Sequence, residues 1–392
     1  MHYFVFLASL INPVYILPLT IVELIKKKST YLPAFSFALA FAFVSFELVP
    51  PINYDIYRHY LRIESLNGLP LDLIIKNSST GYLLFDTYAW LINTLRLPLG
   101  TLNASIVFLA YFLVFTIFKD LKDNWLGSSR SSYIALSFFL LWQSITFVML
   151  TSGIRSQFAA TLLVYASYKL FYYKKTSLFL VLSLVAFFIH PFSLGISAII
   201  YTSTRLIFLS RWSKTFIIVG FLASLIPSAI SYIINLIILV FNKFDFFRAS
   251  YFDPNSTWAK GVIESKNING LIVTFFVPRL PFYISQIYLI INKPKSHNAY
   301  YTALCLISLY LGVFHSFYTL FDRMAVFYYL LFTLYLITRE ASRTSKLSKQ
   351  LYYTYFISIV LYSIINLYRY KDFLLTAKTV MFKPMLFSFF GV

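Results

Sequence analysis

The sequence is short of charged residues and of cysteine. Charged side chains make up 12% of its 392 residues, whereas a soluble domain carries about 25%. Its single cysteine, Cys305, excludes an intrachain disulfide and a cysteine-rich metal site. These shortages exclude a soluble, disulfide-stabilised scaffold and favour a membrane protein.

Motifs for nucleotides, metals and nucleic acids are also missing. The sequence contains no phosphate-binding loop and no dinucleotide fingerprint, and its histidines and carboxylates do not cluster at metal-ligand spacing. We therefore expect no cofactor and no metal. The net charge of +19 comes from lysines and arginines scattered in short loops, with no continuous basic stripe, so nucleic acid is not expected as a partner.

Long apolar runs are what the sequence has in abundance. Hydrophobic residues make up 59% of the chain, and a membrane span needs about 20 apolar residues. We expect an all-α polytopic membrane protein with about twelve transmembrane helices, forming a single integral membrane domain over residues 1–392. The predicted spans are 3–25, 31–50, 101–118, 132–150, 154–172, 176–190, 191–209, 215–240, 271–291, 299–318, 323–338 and 351–368.

The basic loops predict which side of the membrane each loop faces. Clustered Lys and Arg place a set of loops in the cytoplasm and both termini outside, although the basic C-terminal tail fits this arrangement poorly. The segment Tyr82–Leu97 is apolar, but counting it as a span would move later basic loops outside. We therefore predict that it lies in the outer interface or re-enters from it. The cytoplasmic loops are 26–30, 169–175, 205–214, 292–298 and 339–350.

Two longer loops are predicted to face outward: residues 51–100, which include the interfacial helix, and residues 242–269. The first contains Tyr54, Asp55 and Tyr57. Aromatic rings can stack on sugar rings and a carboxylate can bind sugar hydroxyls, so these three residues are a candidate sugar-binding face. A solvated amphipathic helix explains the same pattern.

Arg155 opens an otherwise apolar helix. An arginine in the middle of a span costs roughly 3 kcal/mol, whereas at a helix N-terminus it adds its charge to unpaired N–H groups and the helix dipole. That combination suits an anion such as a phosphate, so Arg155 is a candidate diphosphate contact. The alternative is an arginine that reaches the lipid headgroups.

Arg279 and Arg323 are the other candidate diphosphate contacts. Arg279 lies between Pro278 and Pro281 in an apolar run, and two prolines three residues apart predict a broken helix, which survives at membrane depth only beside protein or a wet cavity. The alternative is a structural kink with the arginine paired to a carboxylate. Asp322 precedes Arg323 at the predicted start of a span. It is a candidate catalytic carboxylate or an ordinary N-cap.

His190 is the candidate catalytic histidine. It ends an apolar run directly before Pro191, and a residue before proline avoids the helical conformation. The imidazole is therefore predicted at a break, where it can act as a general base or bind a substrate hydroxyl; a buried, hydrogen-bonded histidine is the alternative. The predicted topology places the unusual polar residues at the outer ends of spans, so the chemistry is expected to face away from the cytoplasm; these residues are Arg155, His190, His315, Asp322 and Arg323.

Several short motifs occur in an order that resembles a known family. They span most of the chain and are similar to the EpsG-like branch of the Wzy polysaccharide repeat-unit polymerases. Two positions differ from the family pattern: Ser156 stands where glutamine is usual, with Gln157 after it, and Phe192 stands where serine is usual, with Ser193 after it. The motifs are Tyr54-Asp55-Ile56-Tyr57, Gly81-Tyr82-Leu83-Leu84-Phe85, Gly153-Ile154-Arg155 with Ala159, Phe188-Ile189-His190, and Asp322-Arg323 with Tyr328-Tyr329.

The resemblance implies a glycosyltransferase of GT-C-like architecture. Such an enzyme joins oligosaccharide units carried on undecaprenyl diphosphate at the outer (periplasmic or extracellular) face of the bacterial inner membrane, with inversion and without a metal. Its implied partners are these lipid-linked oligosaccharides and the bilayer, with a chain-length regulator and a flippase as candidate protein partners. Arg155, Arg279 and Arg323 would offset the charge of the leaving diphosphate, and His190 would orient or deprotonate the acceptor hydroxyl.

Two other functions remain open at the level of sequence. A lipid-linked oligosaccharide flippase also needs arginines that face a diphosphate, but it is expected to place charges along a central path and often to contain repeated halves. A membrane acyltransferase that modifies surface glycans would use a histidine to activate a hydroxyl. Its acyl donor enters from the cytoplasm, where this chain lacks a matching set of histidines.

Overall fold

The computed structural model describes residues 1–26, 29–50, 52, 54–78, 82–126, 129–226, 276–294, 296–315, 318–340 and 346–369. Within these ranges the secondary structure is helical, without a β-strand, so the all-α prediction is confirmed. The predicted outer loop 242–269 and the basic tail beyond Arg369 lie outside the described residues. The chain divides into two units, residues 1–191 with 366–392, and residues 192–365.

Four helical segments in the described ranges are long and apolar enough to cross a membrane: Gly100–Asn124, Ser131–Ser152, Leu320–Arg339 and Lys346–Tyr368. The second of them consists of two successive helices, Ser131–Ser144 and Phe147–Ser152. Several shorter apolar helices of 10–17 residues accompany them. The chain is therefore a helical membrane protein with several candidate spans. The full number of twelve spans and the GT-C-like architecture stay predictions.

The first unit contains a long series of helices. They are α1 (His2–Ile11), α2 (Pro13–Ile25), α3 (Leu32–Phe46), α4 (Asp55–Ser65), α5 (Leu71–Asn77), α6 (Leu83–Thr94), α7 (Gly100–Asn124), α8 (Ser131–Ser144), α9 (Phe147–Ser152), α10 (Ile154–Tyr173) and α11 (Thr176–Ile189).

The centre of the first unit is the packing of α3 against α7, with α10 packed against both α7 and α11. Aromatic rings fill the interface between α3 and α7: the rings of Phe41 and Tyr111 stack at 4.3 Å, and those of Phe37 and Phe115 lie 4.4 Å apart. At the start of α7, a Cβ on Gly100 would lie 2.4 Å from the carbonyl oxygen of Phe46. Only glycine lets the end of α3 and the start of α7 come this close.

The predicted first span, residues 3–25, is two helices rather than one. Asn12 has an extended backbone, and its side chain accepts hydrogen bonds from the N–H groups of Val14 (3.0 Å) and Tyr15 (3.3 Å). Pro13 then occupies the first turn of α2. Asparagine as an N-cap followed by proline is a strong helix start, and it outweighs the continuous apolar pattern.

The predicted outer loop contains three helices, α4, α5 and α6, held together by polar contacts. The buried Asp86 of α6 accepts a hydrogen bond from Ser78 (2.8 Å) and pairs with Arg62 of α4 (3.4 Å). Asn93 of α6 donates to the carbonyl of Ile63 (2.8 Å). The helix predicted near Tyr82–Leu97 is therefore present as α6, and its placement in the membrane interface stays a prediction.

The second unit contains α12 (Phe192–Arg205), a short 3₁₀ helix (Ile207–Ser210), α13 (Ser213–Leu225), α14 (Val277–Ile291), α15 (Ala299–Val313), α16 (Tyr318–Glu340) and most of α17 (Lys346–Arg369). Helices α13 and α15 are in backbone contact: a Cβ on Gly312 would lie 2.0 Å from the carbonyl oxygen of Gly220. Small residues at such a crossing allow the closest approach between membrane helices.

The prediction of a broken helix at Pro278 and Pro281 is wrong over the described residues. Helix α14 begins at Val277 and runs unbroken to Ile291. Pro278 is its second residue, and Pro281 lies in its interior. Proline is tolerated at the early position of Pro278, because its fixed φ suits a helix. Pro281 has no N–H and therefore cannot donate the helical hydrogen bond to the carbonyl of Val277.

Candidate functional site

Two of the residues singled out in the sequence meet a third in the first unit. Arg155 is the second residue of α10, His190 caps the C-terminus of α11, and Tyr82 precedes α6 as its N-cap. The guanidinium carbon of Arg155 lies 4.3 Å from the ring centroid of Tyr82. The rings of Tyr82 and His190 are 5.7 Å apart and nearly perpendicular. With Phe85, whose ring is 5.5 Å from Arg155, these residues form what we call the Tyr82 cluster.

Arg155 sits at an uncapped helix start. Its helix α10 follows Gly153, and no side chain caps that N-terminus, so N–H groups of the first turn lie beside the guanidinium. Arg155 is only partly buried, and within the part of the chain that the structure describes it forms no ion pair with a carboxylate. Its described contacts are the faces of aromatic rings, which leave the N–H donors available to an anion.

The chain turns tightly into α10 at Gly153. The N–H of Gly153 donates to the carbonyl of Met149 (2.9 Å), and the hydroxyl of Ser156 donates to the carbonyl of Gly153 (3.0 Å). Gln157 follows and is 2% exposed. Among the described residues, neither its amide oxygen nor its amide nitrogen has a hydrogen-bond partner. A buried amide of this kind costs about 1–3 kcal/mol unless a ligand or water satisfies it.

His190 has the extended backbone that its proline neighbour predicts. Its φ is −156° and its ψ is 123°, and its N–H donates to the carbonyl of Ala186 (2.9 Å). The side chain is 7% exposed. The expectation of an imidazole at a helix break is therefore confirmed, because Pro191 prevents α11 from continuing.

Helix α4 reaches the Tyr82 cluster through His59, a residue that the sequence analysis did not single out. The imidazole of His59 packs on Phe85, with the ring centroids 4.9 Å apart, and its Nε2 lies 3.6 Å from a carboxylate oxygen of Asp55 one turn earlier. The spacing of Asp55 and His59 by four residues was the available signal, since such pairs share a helix face. Tyr60, the next residue on α4, is also buried, and burial raises the pKa of its hydroxyl. That hydroxyl therefore stays protonated.

The three predicted sugar-binding residues lie at the start of α4. Tyr54 is the N-cap and packs against the apolar core of this unit, while Asp55 occupies the first turn. Tyr57 is partly buried, and its N–H donates to the carbonyl of Tyr54 (3.1 Å). The structure thus brings Asp55 near the Tyr82 cluster through His59, and the sugar-binding role of the three residues stays a prediction.

An apolar cavity of about 270 Å³ adjoins the Tyr82 cluster. It shares Phe85 with the cluster, and Ile189, the neighbour of His190, forms part of its wall. Its polar side chains satisfy each other: Tyr88 donates to the hydroxyl of Ser105 (2.6 Å), which donates to the carbonyl of Thr101 (2.8 Å). The lining residues are Leu84, Phe85, Tyr88, Ser105, Ile106, Leu109, Phe158 and Ile189.

Arg279 has a different environment in the second unit. Its side chain is completely buried, its Nη2 donates to the carbonyl of His315 (3.3 Å), and its guanidinium carbon lies 4.6 Å from the ring of Phe321. The imidazole Nε2 of His315 is hydrogen-bonded to the hydroxyl of Tyr283 (2.9 Å). This arginine connects α14 to the segment before α16.

Asp322 and Arg323 lie inside α16, which begins at Tyr318. The alternative of Asp322 as an N-cap is therefore wrong, because the helix starts earlier than the apolar run suggested. Asp322 is buried and Arg323 partly buried. About two turns further along α16, the hydroxyl of Tyr329 donates to the carbonyl of Pro278 (2.8 Å), and this bond connects α16 to α14.

The structure therefore gives two separate groups of predicted residues, one in each unit. Arg155 and His190 belong to the Tyr82 cluster in the first, and Arg279, Asp322 and Arg323 lie on α14 and α16 in the second. The convergence of all three arginines on one diphosphate stays a prediction. Over the described residues, no group of three or more His, Cys, Asp or Glu side chains is arranged to hold a metal ion.

Comparison with known proteins identifies one family. The model of the EpsG family matches residues 30–379, which is most of the chain. The match includes the outer-loop motif, the Tyr82 cluster and the Asp322-Arg323 pair, so the resemblance predicted from the sequence is confirmed. Neither the curated proteins nor the solved structures contain a match.

Proposed function

The chain belongs to the EpsG family, the family of Wzy-like polysaccharide polymerases, and from this premise we propose that it polymerises oligosaccharide repeat units carried on undecaprenyl diphosphate. Family membership and the apolar helices indicate a membrane protein of polysaccharide biosynthesis. The proposal places its reaction at the outer face of the bacterial inner membrane, with inversion and without a metal.

The observation that carries the proposal is the environment of Arg155. A diphosphate leaving group gains negative charge as its bond to the sugar breaks, and fixed cations and N–H donors that face the group lower the barrier. Arg155 offers a forked guanidinium at an uncapped helix start and has no carboxylate partner within the described residues. It is therefore the proposed primary diphosphate contact.

In the proposed reaction, a hydroxyl oxygen of the incoming unit bonds to the anomeric carbon at the reducing end of the growing chain. The bond between that carbon and the diphosphate oxygen breaks with its electron pair, and undecaprenyl diphosphate leaves. The hydroxyl proton passes to the imidazole of His190, which packs against the same Tyr82 ring as Arg155. Inversion follows from a single displacement.

The remaining predicted residues have supporting roles. Arg323 on α16 is partly buried and is proposed as a further diphosphate contact, whereas Arg279 is fully buried and already donates to a protein carbonyl. Asp322 is the proposed second catalytic group. Tyr54, Asp55 and Tyr57 on α4 are the proposed contacts to sugar rings and hydroxyls.

The test is reconstitution of the full chain in liposomes with lipid-diphosphate-linked repeat units, followed by gel analysis of the glycan. We expect a ladder of products, with release of undecaprenyl diphosphate in proportion to the bonds formed. Units that cross the bilayer without joining would identify a flippase, and acyl-modified single units would identify an acyltransferase. Either result would overturn the proposal.

A further inference from the structure

The apolar cavity beside the Tyr82 cluster has no role in the proposed diphosphate contact, and it could hold another part of the substrate. Phe85 contacts the guanidinium of Arg155 on one side and forms part of the cavity wall. Arg155 and the cavity are therefore neighbours that share the ring of Phe85.

The wall of this cavity suits a hydrocarbon. Among the described residues that line it, Tyr88 and Ser105 are the polar side chains, and their hydroxyls are bonded to each other and to the carbonyl of Thr101. No donor is left in the wall to recognise a sugar or a phosphate. An apolar lining next to a single charged group is the usual form of a site for a ligand with a polar head and an apolar tail.

Two apolar residues of the cavity wall are also exposed on the surface of the first unit. Leu84 is 39% exposed and Leu109 is 42% exposed. Leu109 belongs to α7, one of the candidate membrane spans, and lies nine residues beyond Gly100, or about 14 Å along the helix. A span that begins at Gly100 would therefore place Leu109 within the roughly 30 Å hydrocarbon layer of a bilayer.

We infer that this cavity binds the first two isoprene units of the lipid carrier whose diphosphate contacts Arg155. The inference rests on the proposed function. Size sets the length of chain: a cavity of about 150 Å³ holds one benzene molecule of six carbons, so about 270 Å³ holds close to ten carbons, or two isoprene units. The rest of the chain lies in the bilayer.

An isoprenoid fits better than the acyl chain of a phospholipid. In a polyprenyl diphosphate the hydrocarbon chain is bonded directly to a phosphate oxygen. A diphosphate at Arg155 therefore brings the first isoprene carbons close to Phe85, which borders the cavity. In a phospholipid, glycerol and an ester separate the phosphate from the acyl chain. The ester carbonyls would then lie against a wall whose polar groups are already bonded to each other.

The test uses the full chain in lipid nanodiscs and a polyprenyl diphosphate with a photoreactive diazirine on its second isoprene unit. Labelled residues are mapped by peptide mass spectrometry. We expect labelling at Leu84, Leu109 or Phe158, and competition by unlabelled polyprenyl diphosphate. Leu109→Trp, which fills the cavity, is expected to lower labelling about tenfold, a loss of about 1.4 kcal/mol.

Leu184→Trp is the matched control, because Leu184 is also an exposed leucine of the first unit, outside the cavity. It should label as the unchanged protein does. If Leu109→Trp does not fold, the labelled positions in the unchanged protein and in Leu84→Trp decide the question. Labelling elsewhere, in protein that makes polymer, would overturn the cavity assignment and leave the polymerase function standing.

A second probe distinguishes the source of the hydrocarbon. Phosphatidylglycerol with a diazirine in its acyl chain should label the cavity weakly and lose that label when polyprenyl diphosphate is added. Equal labelling without competition would identify a general lipid site and overturn the inference. Specific labelling by the polyprenyl probe in protein that forms no polymer would support the assignment of the cavity and overturn the proposed polymerase activity.

Discussion

Each unit of the molecule contains an arginine and a histidine among aromatic rings, but the two groups are bonded in different ways. In the first unit Arg155 is partly buried, rests on Tyr82 and Phe85, and has no ion pair among the described residues. In the second unit Arg279 is fully buried and donates to the carbonyl of His315.

The difference separates two uses of the same side chain. An arginine that binds a backbone carbonyl in the interior holds the protein together, and its loss leaves a buried group unsatisfied. An arginine whose described contacts are ring faces keeps its forked donors for another molecule. Residue type and apolar surroundings are alike in the two units, so the described bonding partners are the basis on which we propose a ligand contact for Arg155 and a structural role for Arg279.

The largest expected effect is on the histidine of the first unit. His190→Ala should lower the rate of transfer at least a hundredfold, because a general base contributes about 10²–10⁴, while binding of the lipid-linked donor changes little. Turnover of the reconstituted enzyme and equilibrium binding of the donor measure the two quantities. The matched control is His315→Ala, which should lower the unfolding temperature instead. Unchanged turnover in His190→Ala would remove this residue from the mechanism.

Arg155→Lys should lower polymer formation about a hundredfold, the scale of losing one donor to a developing charge. Lysine keeps the charge and loses the fork. Thermal stability should stay within about 0.5 kcal/mol, as for other substitutions outside the core. Arg62→Lys, a change at another outer-loop arginine that pairs with Asp86, should leave the ladder unchanged. A normal ladder in Arg155→Lys would count against the diphosphate role.

Arg279→Met should show the opposite pattern. Methionine keeps much of the volume but leaves the carbonyl of His315 without its donor, which costs about 1–3 kcal/mol. Unfolding of the purified protein in detergent measures this loss, and turnover of the protein that remains folded should be close to normal. A variant with unchanged stability and no polymer would show instead that Arg279 contacts the substrate.

The smallest expected effect is on the ring beneath Arg155. Tyr82→Leu removes a cation–π contact worth about 0.5–1 kcal/mol, so we expect a two- to fivefold loss of activity from a less well positioned guanidinium. Tyr82→Phe keeps the ring and should be nearly normal. If Tyr82→Phe and Tyr82→Leu reduce activity equally, the hydroxyl of Tyr82 is the group that matters, and the contact of its ring with Arg155 is not.

Local signals in the sequence were sufficient for the parts of the site that depend on backbone conformation. Pro191 fixes the extended backbone at His190, and the predicted helix start at residue 154 agrees with α10. These features depend on one or two neighbouring residues, which sequence shows directly. The match to the EpsG family likewise rests on short local motifs in a fixed order.

Contacts between distant residues were beyond such rules. Tyr82 lies beneath Arg155 although 73 positions separate them in the sequence, and nothing in either segment specifies that pairing. Helix α16 starts at Tyr318, ahead of the predicted residue 323, because a hydropathy count stops at charged Asp322 while the helix continues through it. The boundary between the first two helices could have been predicted from Asn12 as an N-cap followed by Pro13. The apolar pattern continues across it, however, and favoured a single span.

The contact between Gly220 and Gly312 limits how the second unit can change shape. Side chains at most helix interfaces can switch rotamers and so let one helix slide or turn on its neighbour. Here the two backbones touch, and no rotamer is available to absorb a shift. We therefore expect helices α13 and α15 to move together, and a hinge within this unit to lie in other segments.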